Sequence, residues 1–234
     1  MTQVTFEYFT GLTRPIFHNV RLSGSWDGQG RYSKSWSVIP MQAFIGDDGC
    51  PAWRATVALD NSQIGWTFHW GVIVDSPHIS NVWGVPTETA DPGSSAQHRD
   101  FRLARDGQVE RYWYTHCRRL GANKLRRDKE TPRIRFSVYA PNALKVETVI
   151  GEPESGYIWS DGRGISKNAK GADLVFPMER DDTGVWHTRA NEAALARFGD
   201  WDHRPYMFRV TRDDGSVALR PSLHSRCQIG SGRR

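Results

Sequence analysis

The sequence predicts an all-β protein built as two β-sandwiches in tandem. Short segments alternating apolar and polar residues recur along the chain, Gly- and Asp-rich turns separate them, and sustained helical periodicity is nearly absent. With 234 residues, the chain can form one large domain or two modest ones, each able to bury a core. A hydrophobic content of 38% and a net charge of +5 exclude a disordered chain. No run approaches the roughly 18 apolar residues of a membrane span.

In the first half, strands are expected at Val4–Thr10, Asn19–Ser23, Ser35–Phe44, Trp53–Leu59, Gly65–Val74 and Asn81–Pro86, with turns at 28–30, 46–49 and 59–65. In the second half they are expected at Arg133–Ala140, Leu144–Ile150, Leu174–Met178, Val185–Thr188, Pro205–Thr211 and Ser216–Leu219, with turns at 161–164, 181–184 and 213–215. Hairpin-type turn chemistry at this spacing argues for sandwiches over βαβ units. One short helix is expected at Asn191–Phe198, capped by Asn191 and stopped by Gly199. Alternation places Ile134, Phe136, Val138 and Ala140 on one face of their strand. In the strand at 65–74 it groups Trp66, Phe68, Trp70, Val72 and Val74 toward a core, with Thr67, His69 and Gly71 opposite.

Residues 102–135 hold 11 Lys or Arg and 4 Asp or Glu, a local net of +7 that leaves −2 for the remainder. This stretch reads as a solvated connection between domains. A less favoured alternative is a nucleic-acid segment, in which Arg118, Arg119, Arg126 and Arg127 track phosphates while Tyr112, Trp113 and Tyr114 stack on bases. The amino terminus, MTQVTFEYFTGLT, lacks the basic start and continuous apolar stretch of a secretory signal, so a cytoplasmic location is expected. Cys50, Cys117 and Cys227 show no CxxC spacing and are expected to be free thiols.

Constellations for catalysis are scarce. The eight His residues form no HxxxH or HxxH pair, and neither a GxSxG elbow nor a GxxxxGK[ST] loop is present. Acids at 47–48, 161, 181–182 and 213–214 sit in turn signals, and the mixed cluster WDHRPY at 201–206 stands alone. No catalytic residue, cofactor or metal site is therefore expected. The loop tryptophans Trp26, Trp83 and Trp159 stand out, because an indole beside Gly, Ser and Asp offers a flat plate to the C–H face of a sugar ring. Their structural alternative is to staple loops onto the sandwich.

The segment RIRFSVYAPNALKVETVIG, continued by YIWSDGRGI, VFPMERDDTGVWHTR and RPYMFRVTRDDGSVALRPSLHSRCQIGSG, resembles the early-set domain preceding the catalytic barrel of family 13 glycoside hydrolases, with 1,4-α-glucan branching enzymes as the nearest kin. VRLSGSWDG, PAWRATVAL and GWTFHWGVIVD resemble, more distantly, the starch- and glycogen-binding modules of families 48 and 20. The resemblance implies two immunoglobulin-like sandwiches, at 1–104 and 131–230, joined by a basic connection at 105–130. It also implies α-glucan as ligand, stacked on Trp26 and Trp83 with polar help from Asp27 and Asn81, and Trp36 competes for the first stacking role. Gly71 stands where a basic residue is often found in such modules.

The catalytic barrel, in the same or a separate chain, would follow the SRCQIG segment, after which four residues remain. The expectation is thus a non-catalytic glucan-positioning region of a branching-type enzyme in glycogen or starch metabolism, its second sandwich serving as a docking wall for the barrel. A scaffold without any sugar site is the rival reading, and enclosure of Trp26 and Trp83 would favour it.

Overall fold

The computed structural model describes residues 1–85, 98–125 and 131–225. The expected strand end at Pro86, Arg126, Arg127, Cys227 and most of the SRCQIG segment lie outside the described residues. Within them the protein is nearly all β, and no helix is long and apolar enough to cross a membrane. The chain divides into two compact units, Met1–His116 and Cys117–Arg234.

The first unit contains two sheets. One runs β4 (Gln42–Ile45), β5 (Pro51–Leu59), β1 (Thr2–Phe9), β9 (Gln108–Trp113). The other runs β3 (Tyr32–Pro40), β2 (His18–Trp26), β6 (Thr67–Asp75), β7 (Val82–Trp83), with β8 (Arg99–Arg102) also paired to β6. β1 shows why the sheets close on each other. Its alternate residues Val4, Phe6 and Tyr8 are fully buried, and the Phe6 ring lies 5.0 Å from Trp70 and 5.3 Å from Phe101, both on the second sheet. The Tyr8 hydroxyl donates to the Gly84 carbonyl at 3.1 Å, and burial raises its pKa beyond the usual phenol range.

The second unit is one hydrogen-bonded path of seven strands: β10 (Gly121–Leu125), β11 (Arg133–Tyr139), β14 (Val185–Thr188), β13 (Val175–Arg180), β12 (Lys145–Ile150), β15 (Tyr206–Thr211), β16 (Val217–Arg220). The path folds over itself: Phe136 of β11 and Tyr206 of β15, far apart along the sheet, have ring centroids 5.0 Å apart. Ile134, Phe136, Val146, Phe176, Trp186 and Phe208 fill the space between.

Four sequence expectations change. The stretch at 105–130 supplies β9 and β10, because β9 pairs in parallel with β1, Tyr8 opposite Tyr112, and β10 pairs with β11. Tyr112 is consequently 5% exposed and stacked on Tyr8, and Trp113 stacks on Phe9 at 5.3 Å, so these two rings are not free platforms for bases. The segment 191–198 forms two short 3-10 turns, Ala193–Leu195 and Phe198–Asp200, in place of a helix, and Glu192 rather than Asn191 caps the first by accepting from the Ala194 N–H. Trp66 leaves the core face of its strand and is 52% exposed, because the turn ending in Gly65 holds it outside β6.

The most consequential change concerns Trp26. β2 continues through Gly24 and Ser25 to Trp26, which shares the parity of Leu22 and so points inward; it is 2% exposed and stacks on Phe6 at 5.4 Å. A Cβ on Gly24 would lie 1.9 Å from the Trp26 ring, so the glycine is what lets the indole lie on the strand. Trp26→Ala therefore empties a core site and is expected to cost about 3–5 kcal/mol of stability. In urea unfolding followed by Trp fluorescence and circular dichroism, its midpoint should fall well below that of Trp36→Ala. Equal midpoints would contradict this placement.

Candidate functional site

The outer face of the sheet containing β2 and β6 gathers a row of aromatic rings. Trp83 of β7 lies over Gly71 of β6, where a Cβ would meet its Cζ2 at 2.2 Å. Trp36 of β3 stands edge-on to Trp83, with centroids 5.9 Å apart and planes at 61°. The His98 ring is 5.9 Å from Trp36, and His69 is 4.6 Å from His98. Register explains the grouping. Ser23 pairs with Gly71 on one side and Val38 on the other, so Trp36, two residues from Val38, shares the outward parity of Ser23, Gly71 and His69. Trp36 and Trp83 are half-buried, while Val38 is 50% exposed.

Polar groups flank both ends of the row. Beside Trp83, Arg21, Ile73 and Trp83 occupy one cross-strand line, since Arg21 pairs with Ile73 and Ile73 with Trp83. Asp75 organises this end, its carboxylate accepting from the Asn81 backbone N–H at 2.8 Å, Asn19 Nδ2 at 2.7 Å and an Arg21 guanidinium nitrogen at 2.8 Å. Arg21 also donates to Asn81 Oδ1 at 2.9 Å. Asn81 carries a φ of +59°, a left-handed conformation that Asn tolerates, and these bonds hold it there. At the other end, His69 Nδ1 and His98 Nε2 approach one Asp100 oxygen at 2.6 and 3.1 Å.

The four residues expected to form a site are not brought together. Trp26 is in the core, which corrects the expectation that it stacks on sugar. Asp27 is a turn residue, its Oδ1 accepting from the backbone N–H groups of Gln29 and Arg31, each at 2.9 Å. It follows the end of β2, six residues beyond Arg21, or about 20 Å along an extended strand, whereas Asn81 bonds to Arg21 itself. Asn81 and Trp83 do share one end of the row. Trp36, the competitor for the stacking role, is beside Trp83. Trp159 is 38% exposed, with the Arg163 guanidinium 5.5 Å over its ring, but belongs to the second unit. Sequence reasoning missed Arg21, His69, His98 and Asp100, which only strand register unites.

No known family profile matches the chain, and no curated protein sequence does. Among solved structures, the chain is similar to the catalytic module of the glycogen-degrading pneumococcal virulence factor SpuA, with 17% identity over 43% of this chain and 12% of that one and a TM-score of 0.27. It is also similar to the Group B Streptococcus pullulanase SAP in complex with maltotetraose, with 13% identity over 84% of this chain and 19% of that one and a TM-score of 0.27. Ligand-free PulA from Klebsiella pneumoniae gives 14% identity over 86% and 17%, with a TM-score of 0.26. The chain thus spans less than a fifth of each of these three proteins. These scores are low, and nothing about the aromatic row follows from them.

The Asp75 centre makes a pH prediction. The Asn81 backbone N–H, then the Asn19 amide and the Arg21 charge, hold its carboxyl below the ordinary 3.8. A carboxyl depressed in the folded state contributes stability that is present above its unfolded value and lost as pH falls through the folded one. Wild type should therefore melt above Asp75→Asn at neutral pH, and the gap should close as the pH is lowered past 3.8. A gap independent of pH would assign Asp75 a role unrelated to its charge.

Proposed function

We propose that the first unit binds α-glucan noncovalently on its aromatic row, with Trp36 and Trp83 as the stacking pair, and positions the polymer for a branching-type glycoside hydrolase. One observation carries the reading: two part-buried indoles meet edge-to-face on a sheet surface, with centroids 5.9 Å apart and planes at 61°. Sugar rings stacked on both platforms cannot be coplanar. A curved α-linked chain meets that requirement, whereas a flat β-1,4-linked ribbon does not. Arg21 and Asn81, both beside Trp83, present the hydrogen-bonding groups for sugar hydroxyls, and Arg21 takes the part of the basic residue missing at Gly71. The sequence resemblance to glucan-binding modules and to the early-set domain supports the same class of ligand.

In this reading the second unit is the wall against which a catalytic barrel docks. Leu144, 64% exposed, and Val217, 59% exposed, flank Thr211 and offer apolar surface for it. Enclosure of Trp26 favours the rival scaffold reading, in which no indole is left for sugar, and the partial exposure that Trp36 and Trp83 retain opposes it.

Affinity electrophoresis in glycogen, with calorimetric titration of maltoheptaose and cellohexaose, tests the proposal. One stacked sugar covering roughly 50 Å² contributes about 1 kcal/mol at ~25 cal/mol/Å², a factor of about five in affinity. Trp36→Ala and Trp83→Ala should each weaken maltoheptaose binding by roughly fivefold to tenfold while remaining folded. Gly71→Ala should also weaken it, because the added methyl lifts the Trp83 indole from the sheet. Cellohexaose should bind poorly throughout. Equal mobility of wild type in gels with and without glycogen would reject the sugar site and leave the scaffold.

A further inference from the structure

We propose that His69, His98 and Asp100 form a site for a divalent transition-metal ion, with zinc as the ion to test first. Their ligand atoms all lie within 4.8 Å of one another, and no other such group of three occurs among the described residues. Two strands place them. His69 of β6 is the direct antiparallel partner of Asp100 of β8, and His98, two residues before Asp100, has the same outward parity. The pairing makes the set part of the sheet framework. The Ser25 hydroxyl accepts from the His69 backbone N–H at 2.8 Å and fixes that backbone further.

The separations suit one ion. Ligand atoms sharing a tetrahedral zinc, with bonds of about 2.0–2.1 Å, stand roughly 3.3 Å apart. His98 Nε2 and Asp100 Oδ1 are 3.1 Å apart, and His69 Nδ1 and Asp100 Oδ1 are 2.6 Å apart. Opening the second contact by roughly 0.7 Å and the first by roughly 0.2 Å admits the ion. At present the contacts are His–Asp hydrogen bonds. To ligate, each imidazole must give up the N–H it now donates to Asp100 and carry its proton on the other ring nitrogen, Nε2 of His69 and Nδ1 of His98, an exchange through solvent between the two nitrogens of each ring. Two imidazoles and one carboxylate select zinc and its neighbours over calcium or magnesium, which prefer oxygen. Exposure of the three side chains rises from 14% at His98 through 28% at His69 to 40% at Asp100, so the remaining coordination positions face water. This inference does not depend on the sugar reading.

The test uses the full chain stripped with a chelator and titrated with zinc chloride by calorimetry, with thermal unfolding in parallel. Wild type should bind one equivalent saturably and melt at a higher temperature with zinc. His69→Ala, His98→Ala and Asp100→Asn should each lose at least tenfold in affinity together with the zinc-dependent rise. Magnesium chloride should give no rise in wild type. If an alanine variant fails to fold, His98→Gln keeps a hydrogen bond to Asp100 but ligates poorly, and must show the same loss. Absence of one-equivalent binding in wild type, or undiminished zinc binding in the folded His69 and His98 variants, overturns the proposal.

Discussion

Glycine in a strand leaves room for an indole to lie directly on the sheet backbone, and the first unit uses this on both faces of one sheet. Gly24 of β2 leaves room inside for Trp26, and Gly71 of β6 leaves room outside for Trp83. The inner placement builds the core, because Trp26 then reaches Phe6, and Phe6 in turn meets Trp70 and Phe101. The outer placement builds the surface, because Trp83 over Gly71 then meets Trp36 edge-to-face. Each glycine costs backbone entropy that a larger residue would not. The aromatic contacts on each face offset that cost.

Most of the strand framework was legible in the sequence because alternation and turn chemistry are local. The DDTG turn at 181–184 shows how local: Asp181 accepts from the N–H groups of Thr183 and Val185, and β14 begins where the turn ends. What was illegible depended on partners far along the chain. The segment SGSW reads as a loop because Gly and Ser are turn residues, yet it is paired on both sides, by Ser37 and Val38 of β3 and by Trp70 and Gly71 of β6, and this forces it straight. The same pairing decides the side on which Trp26 falls. β9 was hidden by its charge; Tyr112 is buried because a parallel partner, β1, covers it, and parallel pairing leaves no hairpin signal to read.

The site was legible in part, for a related reason. Of the residues the sequence singled out, Trp83 and Asn81 do lie together, beside a part-buried Trp36. Choosing Trp36 over Trp26 requires knowing strand parity across the bulge between Gly24 and Trp26, which no residue pattern declares. The His69, His98 and Asp100 group is further from reach. His98 and Asp100 have strand spacing rather than the helical spacing of familiar metal motifs, and His69 joins them through register alone.

Energetics assign different tasks to the two ends of the row. In the proposed glucan site two stacked sugars would supply about 2 kcal/mol, well short of the roughly 4 kcal/mol of even a millimolar complex, so the aromatic pair would need polar partners already in place. Their placement is inexpensive here because the row crosses five strands fixed by ladder bonds, and little side-chain ordering remains to be done on binding. Asp75 already accepts from three donors and has little capacity left for a ligand, so it acts by holding Arg21 and Asn81. At the far end, one Asp100 oxygen accepts from both imidazoles, at 2.6 and 3.1 Å. The sheet thus carries a saturated anchor at one end and a convergent, adaptable cluster at the other, with the indole pair between them.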